Sequence, residues 1–388
     1  MEAKKNILIL TTIGGFLQEF EMNDVKLLQS QGWNVHYASN FHQPIYECDT
    51  ELLQRMGVTC HQIDIRKSPV AVVANIKAFR QLIQIIENEE ITAVHCHNPM
   101  GGVLGRMTKL YNRHLYVIYT AHGFHFYKHA PIQNWLLYYP AERLLARLTN
   151  RLITINREDE IAARKFRLSS GGVVSRIPGV GLNMERFEPD QKARKDTRQK
   201  YDIADDRFVI LSVGELNRNK NHETLIRAVD ILKKDYKRFL EMNPVLMICG
   251  EGGYREKLQE LIQECHLDDN VILCGYQVQI ERYYQAADCF AFPSYREGLG
   301  MAALEAMACG MPLIVSDNRG TREYSRNNQN ALVCPARDSE AFAKAIAKMW
   351  ENDKKREEMS QRSRKIADDF SVSHTERIMQ KIYSSIGQ

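Results

Sequence analysis

No apolar run in these 388 residues approaches the roughly 18 to 20 that a bilayer-crossing helix needs, so a membrane-spanning chain is not expected. The opening apolar stretch, residues 6–10, breaks at Thr11, too soon for a secretion signal, and reads as a first strand of a cytoplasmic protein. Cys-x-x-Cys pairs are missing. The nine cysteines are scattered, and Cys249, Cys274, Cys289 and Cys309 fall inside expected strands or helices, which excludes a disulfide frame and favours buried thiols. A complete metal-ligand set is missing too: His95-Cys96-His97 and His122-x-x-His125 have no carboxylate or further cysteine nearby in sequence, so neither metal nor cofactor is expected. Finally, no Gly-x-Gly-x-x-Gly follows the first strand, where Thr11-Thr-Ile-Gly14-Gly15-Phe16 stands instead, which argues against a dinucleotide-binding first domain. Gly14 and Gly15 still permit a close backbone approach to a ligand.

Charge of one sign is not in large excess, the net being +4, and no nucleic-acid-binding module appears. It is unevenly spread, however: residues 101–157 hold eight Lys or Arg against the single acid Glu142. Such a field favours phosphates or an anionic membrane surface.

What is present is alternation. Strand-like apolar runs at 6–10, 35–38, 93–95, 115–120, 152–155 and 173–177 are separated by helical segments, and a second set follows at 208–213, 245–249, 271–274, 289–292 and 313–316. This is an α/β pattern of two doubly wound Rossmann-like halves, joined by a charged linker at 189–207, with a ligand expected in a cleft between them.

The richest stretch is Phe292-Pro-Ser-Tyr-Arg-Glu-Gly-Leu-Gly-Met-Ala-Ala-Leu-Glu-Ala-Met-Ala-Cys-Gly-Met-Pro312. Gly298 and Gly300 allow a tight turn, Met301, Leu304 and Ala308 recur at helical spacing, and Gly310 and Pro312 end the helix. A helix starting near Gly300 aims its free N–H groups and positive dipole end over the turn, where a diphosphate would sit. Glu297 precedes the helix, and Glu305 lies roughly 7 to 8 Å along it from Gly300 at about 1.5 Å per residue. Two acceptor-only carboxylates so spaced suit hydroxyls on a sugar and on a ribose.

With Pro293, the Glu297-Gly-Leu-Gly turn, Glu305, the Gly310-Met-Pro stop and the later Gly320 and Glu323, the segment resembles the family 4 retaining glycosyltransferases, which have the two-domain GT-B fold. The resemblance implies an N-terminal acceptor-side domain over 1–187, completed by an amphipathic helix at 372–388, and a nucleotide-sugar domain over 188–371. It implies that Glu297 contacts the donor sugar, Glu305 the ribose, and the backbone of Gly298, Leu299, Gly300 and Met301 the diphosphate. Val213-Gly214-Glu-Leu-Asn217-Arg218-Asn219-Lys220 resembles the family's diphosphate loop, with Lys220 at its lysine. The family's arginine is replaced by Glu215, so Arg218 is expected to supply the second positive charge and Asn217 or Asn219 hydrogen bonds. His122, in Tyr119-Thr-Ala-His-Gly, matches the histidine that reaches the donor sugar. His97, Asn98 and Gly101 are acceptor-side candidates, Gly250 belongs to a Gly-x-Gly turn beside the nucleotide, and the backbone of Gln277 or Val278 is a candidate reader of the base.

Similarity to capsular and exopolysaccharide enzymes extends the expectation to a UDP-sugar donor, a glycan or polyprenyl-diphosphate acceptor, and a peripheral place on the inner face of the membrane. The stretch from Lys128 to Arg151, which interleaves Trp135, Leu136, Leu137, Tyr138 and Tyr139 with basic residues, suits a membrane interface or a buried helix equally. Two other functions fit the same scaffold: a nucleotide-sugar 2-epimerase, and a silent nucleotide-sugar-binding scaffold, the latter favoured by Glu215.

Overall fold

In this computed structural model residues 5–387 are described; the first four residues of the N-terminal reading and Gln388 of the expected terminal helix lie outside them. The chain divides into two compact units, Met1–Gly181 with Val372–Gln388, and Leu182–Ser371.

The first unit is built on seven parallel strands: β1 (Asn6–Leu10), β2 (Asn34–Ser39), β3 (Val58–Gln62), β4 (Ala93–His97), β5 (Tyr116–Ala121), β6 (Arg151–Thr154) and β7 (Val173–Arg176). Their order is β3-β2-β1-β4-β5-β6-β7. Every residue of β1 is buried, as expected of a central parallel strand covered on both faces. The order reverses between β1 and β4, which pair from Ile7↔Ala93 to Leu10↔Cys96, so the loops leaving both strands emerge side by side at the switch point. Leu8, Leu10, Leu82, Val94, Val117, Phe126 and Leu152 pack into the core.

This unit is completed from far along the chain. The helix Val372–Ser384 buries Thr375, Met379, Ile382 and Tyr383, spaced to share one face. The Tyr383 hydroxyl donates to Asp24 Oδ2 at 2.7 Å and lies 2.9 Å from His95 Nδ1.

The second unit holds β8 (Val209–Val213), β9 (Val245–Cys249), β10 (Val271–Gly275), β11 (Cys289–Phe292), β12 (Leu313–Ser316) and β13 (Ala331–Cys334), again all parallel, in the order β10-β9-β8-β11-β12-β13. Here the switch point lies between β8 and β11. Ile210, Leu225, Val229, Leu246, Ile248, Phe342 and Ile346 lie in its core.

The charged linker expected at 189–207 is not one. Asp190 caps a helix, Gln191–Lys200, by accepting from the N–H groups of Lys192 and Ala193, and Arg198 in that helix is only 2% exposed. Its guanidinium bonds Asp288 Oδ2 at 2.9 Å and the carbonyls of Ala286, Ala204, Asp205 and Arg207. A run of charges that reads as solvated is thus an integral part of the second unit, because one of its cations is fully partnered inside.

Candidate active site

The loop after β8 and the loop after β11 are tied together. Asn219 O accepts from Tyr295 N at 2.9 Å, Asn219 Nδ2 donates to Arg296 O at 2.9 Å, and Asn221 Nδ2 donates to Pro293 O at 3.1 Å. This pinning brings Lys220 Nζ to 2.7 Å from Glu297 Oε1, with side chains 21% and 11% exposed. The ammonium also lies 5.0 Å from the centre of the Phe292 ring, and the lysine stem runs over Gly214. Gly250 is required for the same packing: a Cβ there would sit 2.0 Å from Gly214 O. Asn217 Oδ1 accepts from Lys220 N at 3.0 Å, so Asn217 and Asn219 spend bonds on loop shape that the sequence assigned to a ligand. Arg218 and Glu215 are exposed, and no hydrogen bond or ion pair holds Arg218 among the described residues.

The helix Met301–Ala308 begins directly after this loop. Gly300 precedes it at φ +92°, where a Cβ would lie 2.8 Å from the Phe292 ring and 3.0 Å from the Tyr324 hydroxyl. Gly298, Leu299 and Met301 line this turn, and Leu299 is buried. Glu305 Oε2 accepts from the Tyr284 hydroxyl at 2.8 Å, which orients the carboxylate. Two further residues belong here that the sequence did not single out. Arg319, 5% exposed, donates through Nε to Glu297 O at 3.3 Å, and Tyr324 is fully buried with its hydroxyl unbonded. Neither lies near the motif glutamates in sequence; only the Gly320-Thr-Arg-Glu323 signal marks that stretch. The Gln277 side chain donates to Cys274 O, and Tyr276 and Val278 are largely exposed.

In the first unit, β4 and β5 end beside each other, and His97 Nδ1 stands 3.1 Å from His122 Nε2. Glu21, on the π-helical turn Leu17–Glu21, completes the cluster: its Oε1 is 3.4 Å from His97 Nδ1 and 3.8 Å from His122 Nε2. Burial pushes the Glu21 carboxyl well above the usual carboxylate range, Asp24 beside it adding repulsion. Burial likewise raises Asp24 to about 6, holds His122 at about 4 and His95 at about 3, and drives His97 well below its ordinary value. Both histidines of the pair are therefore neutral at pH 7.

Glu21 was invisible in the sequence because it lies 76 residues from His97. The premise that no carboxylate accompanies His97 and His122 does not hold in space. His97 is 1% exposed and offers no surface to a ligand, while Asn98 Oδ1 accepts from Thr12 N at 3.1 Å and Gly101 N donates to Thr12 Oγ1 at 2.9 Å. The side of Gly15 that a Cβ would occupy is filled by the carbonyls of Tyr46 and Glu47, both 2.6 Å away, and that of Gly14 by Asn40 O at 2.9 Å; these glycines admit the chain's own loop.

Comparison with known proteins agrees with this architecture. Residues 193–366 match the family described as Glycosyl transferases group 1, and residues 8–156 match Glycosyl transferase 4-like. EpsD of Bacillus subtilis (strain 168) is 37% identical over 384 residues, covering 98% of this chain and 97% of the relative. The UDP-Gal:alpha-D-GlcNAc-diphosphoundecaprenol alpha-1,3-galactosyltransferase of Escherichia coli is 28% identical over 92% of this chain and 89% of its own length. HepE of Anabaena, solved with UDP-glucose, superposes with a TM-score of 0.79 at 18% identity over 98% of this chain and 99% of that one, which shows a common GT-B fold. The chain belongs to the group 1, family 4 glycosyltransferases and is a nucleotide-sugar-dependent enzyme of that family.

Proposed function

We propose that this enzyme moves a sugar, with retention of anomeric configuration, from a UDP-sugar to a glycan carried on a polyprenyl diphosphate during surface polysaccharide assembly. The observation that carries the donor half is the Lys220–Glu297 pair, 2.7 Å long, at the mouth of the helix Met301–Ala308. A diphosphate oxygen competes with Glu297 for the same ammonium. Donor arrival draws Lys220 onto phosphate and frees the Glu297 carboxylate to accept from a sugar hydroxyl. The N–H groups around Gly300 and the exposed Arg218 share the remaining phosphate charge, and Glu305, oriented by Tyr284, takes the ribose. As the sugar–phosphate bond breaks, Lys220, Arg218 and the helix amides stabilise the departing diphosphate, whose oxygen takes the acceptor's proton. No metal is needed at this diphosphate, because lysine and helix amides supply the positive charge.

The nucleotide and acceptor follow the relatives: UDP-glucose in HepE, and UDP-Gal with a diphosphoundecaprenol-linked acceptor in the E. coli enzyme. A membrane surface as the working place is supported by the helix Ile132–Leu145, none of whose residues is fully buried. Tyr139 packs on Phe126 and Glu142 pairs with Arg106 at 2.6 Å, while Ile132, Leu136, Leu137 and Leu144 stay 61–72% exposed beside Arg143 and Arg147. An apolar ridge rimmed with cations fits an anionic lipid headgroup layer. No helix among the described residues is long and apolar enough to cross the membrane.

The test is thermal stabilisation by UDP-, GDP-, ADP- and CMP-sugars, with and without chelator. Ligand at about a hundred times its dissociation constant adds about 2.7 kcal/mol. A shift with a UDP-sugar that survives chelator and vanishes in Lys220→Ala is expected. A shift confined to another nucleotide reassigns the donor, and none at all sinks the reading.

A further inference from the structure

The loops that leave β1, β2 and β3 enclose a cavity of about 610 Å3 wholly within the first unit. It stands outside the carboxyl ends of the strands, where open α/β sheets bind ligands, and has the volume of a small-molecule site. Thr12 after β1, Asn40 and Gln43 after β2, and Arg66, Lys67 and Ser68 after β3 supply its polar wall, and no Asp or Glu lines it. The backbone here is fixed from inside. Asn75, 6% exposed on the helix Val72–Asn88, accepts from Arg66 N at 3.0 Å and donates through Nδ2 to Ser68 O at 3.1 Å. Asn40 Nδ2 donates to Ile65 O at 3.0 Å. The cationic heads, by contrast, are uncommitted: among the described residues neither Arg66 nor Lys67 has a side-chain hydrogen bond or ion pair. Asp64, the acid beside them in sequence, is taken up by Lys77 at 2.7 Å. Two cations held by their main chain on a cavity free of acids are placed to receive an anion of two or more charges.

A second observation describes the rest of the ligand. Directly after Ser68 the chain reads Pro69-Val70-Ala71-Val72-Val73, with Val70 83%, Val72 56% and Val73 84% exposed, and Ile45, 55% exposed, lines the cavity from the β2 side. Four aliphatic side chains in water beside two unpaired cations mark a ligand that is anionic at one end and apolar at the other. We infer that this cavity holds the diphosphate of an isoprenyl-diphosphate acceptor, with Arg66 and Lys67 on its phosphate oxygens and the first isoprene units along Val70, Val73 and Ile45. The inference rests on the sugar-transfer reading and adds to it the residues that grip the lipid end of the acceptor. A phosphodiester headgroup offers a single charge, whereas a diphosphate suits a pair of cations.

Farnesyl diphosphate, a soluble isoprenyl diphosphate, is titrated into the full-length protein by calorimetry. Expected is one site per chain, at least tenfold tighter than for inorganic diphosphate because apolar surface is buried as well. Binding should weaken at least tenfold in Arg66→Gln/Lys67→Gln and stay unchanged in Arg113→Gln, an exposed cation on the loop that enters β5. Val70→Ser/Val73→Ser should weaken farnesyl diphosphate and leave inorganic diphosphate alone. All of these positions are exposed, so the variants keep the fold. Lys220 is the other cation assigned to a diphosphate, and Lys220→Ala should bind farnesyl diphosphate as the wild type does. Absence of binding, equal affinity for inorganic diphosphate, indifference to Arg66→Gln/Lys67→Gln, or loss in Lys220→Ala overturns the inference. So does a double variant that leaves phosphatidylglycerol vesicles while still binding farnesyl diphosphate, for then the cations serve a headgroup layer. UDP-sugar stabilisation is expected intact in Arg66→Gln/Lys67→Gln and fails in the wild type if the donor reading is wrong, so the two failures are distinguishable.

Discussion

Lys220 and Glu297 hold one another, and that mutual hold makes different variants fail differently. On the proposed role of Lys220 at the departing diphosphate, Lys220→Ala should cost 100- to 1,000-fold in kcat, as loss of one such stabilising group does. Since its side chain is partly exposed, the melting temperature without ligand should barely move. Glu305→Ala should instead raise the donor KM about tenfold while kcat changes little, the pattern of a lost ground-state contact. Steady-state kinetics with varied donor separates the two.

His222 offers a residue-scale prediction about stability. Burial lowers its pKa from 6.5 to about 4, and its Nδ1 meets Ser212 Oγ at 3.1 Å. Between those two values the unfolded chain takes up a proton that the folded chain refuses, so this contribution is complete above pH 6.5 and lost as pH falls toward 4. At about 1.4 kcal/mol per pH unit, the stability gap between wild type and His222→Asn should narrow by about 3 kcal/mol from pH 7 to pH 4 in urea denaturation. A constant gap would mean that the ring is not held neutral. Glu297 and Lys220 were legible in the sequence because each sits in a short motif whose glycines and helix stop travel with it. Glu21, Arg319 and Tyr284 were not, because only the folded loops bring them to their partners.

At the scale of elements, the central strands were legible in the sequence, as were the edge strands β7 and β10, while the edge strands β3 and β13 were not. β9 is a continuous apolar run and β1 and β8 each carry a single polar residue, but β3 reads Val-Thr-Cys-His-Gln, with Val58 its one buried residue, and β13 is only four residues long after an Asn-rich turn. The edge strand β3 buries little apolar surface and so leaves little pattern, whereas β13 is apolar but short. The helix Ile132–Leu145 illustrates the converse: its apolar content suits either a core or a membrane, and only the exposure of its ridge decides against the core. Replacing Leu136 and Leu137 with Ser should leave the melting temperature within about 1 °C, as exposed substitutions do. It should also weaken flotation with phosphatidylglycerol vesicles at least tenfold, each buried leucine being worth about 1.5 to 3 kcal/mol. Unchanged flotation would remove the helix from the membrane.

At the scale of the molecule, the first unit is assembled from two stretches separated by the whole of the second. Met379, Ile382 and Tyr383 are buried there, and at about 1.5 to 3 kcal/mol each they contribute roughly 5 to 9 kcal/mol, comparable with the entire stability of a domain. A chain cut after Ser371 should therefore lose the first unit to proteolysis while a resistant fragment beginning near Leu182 keeps its UDP-sugar stabilisation. Survival of both units would show that the helix Val372–Ser384 is dispensable.

The same arrangement sets an order on the ribosome. Synthesis runs at about 5 to 20 residues per second, so the stretch Leu182–Ser371 takes roughly ten to forty seconds to make. For that interval the residues beneath Tyr383, Asp24 and His95 among them, are synthesised but uncovered. The second unit, contiguous in the chain, can close while the sheet that precedes it still waits for its final helix, and chaperones that bind nascent protein have their longest opportunity at the N-terminal half.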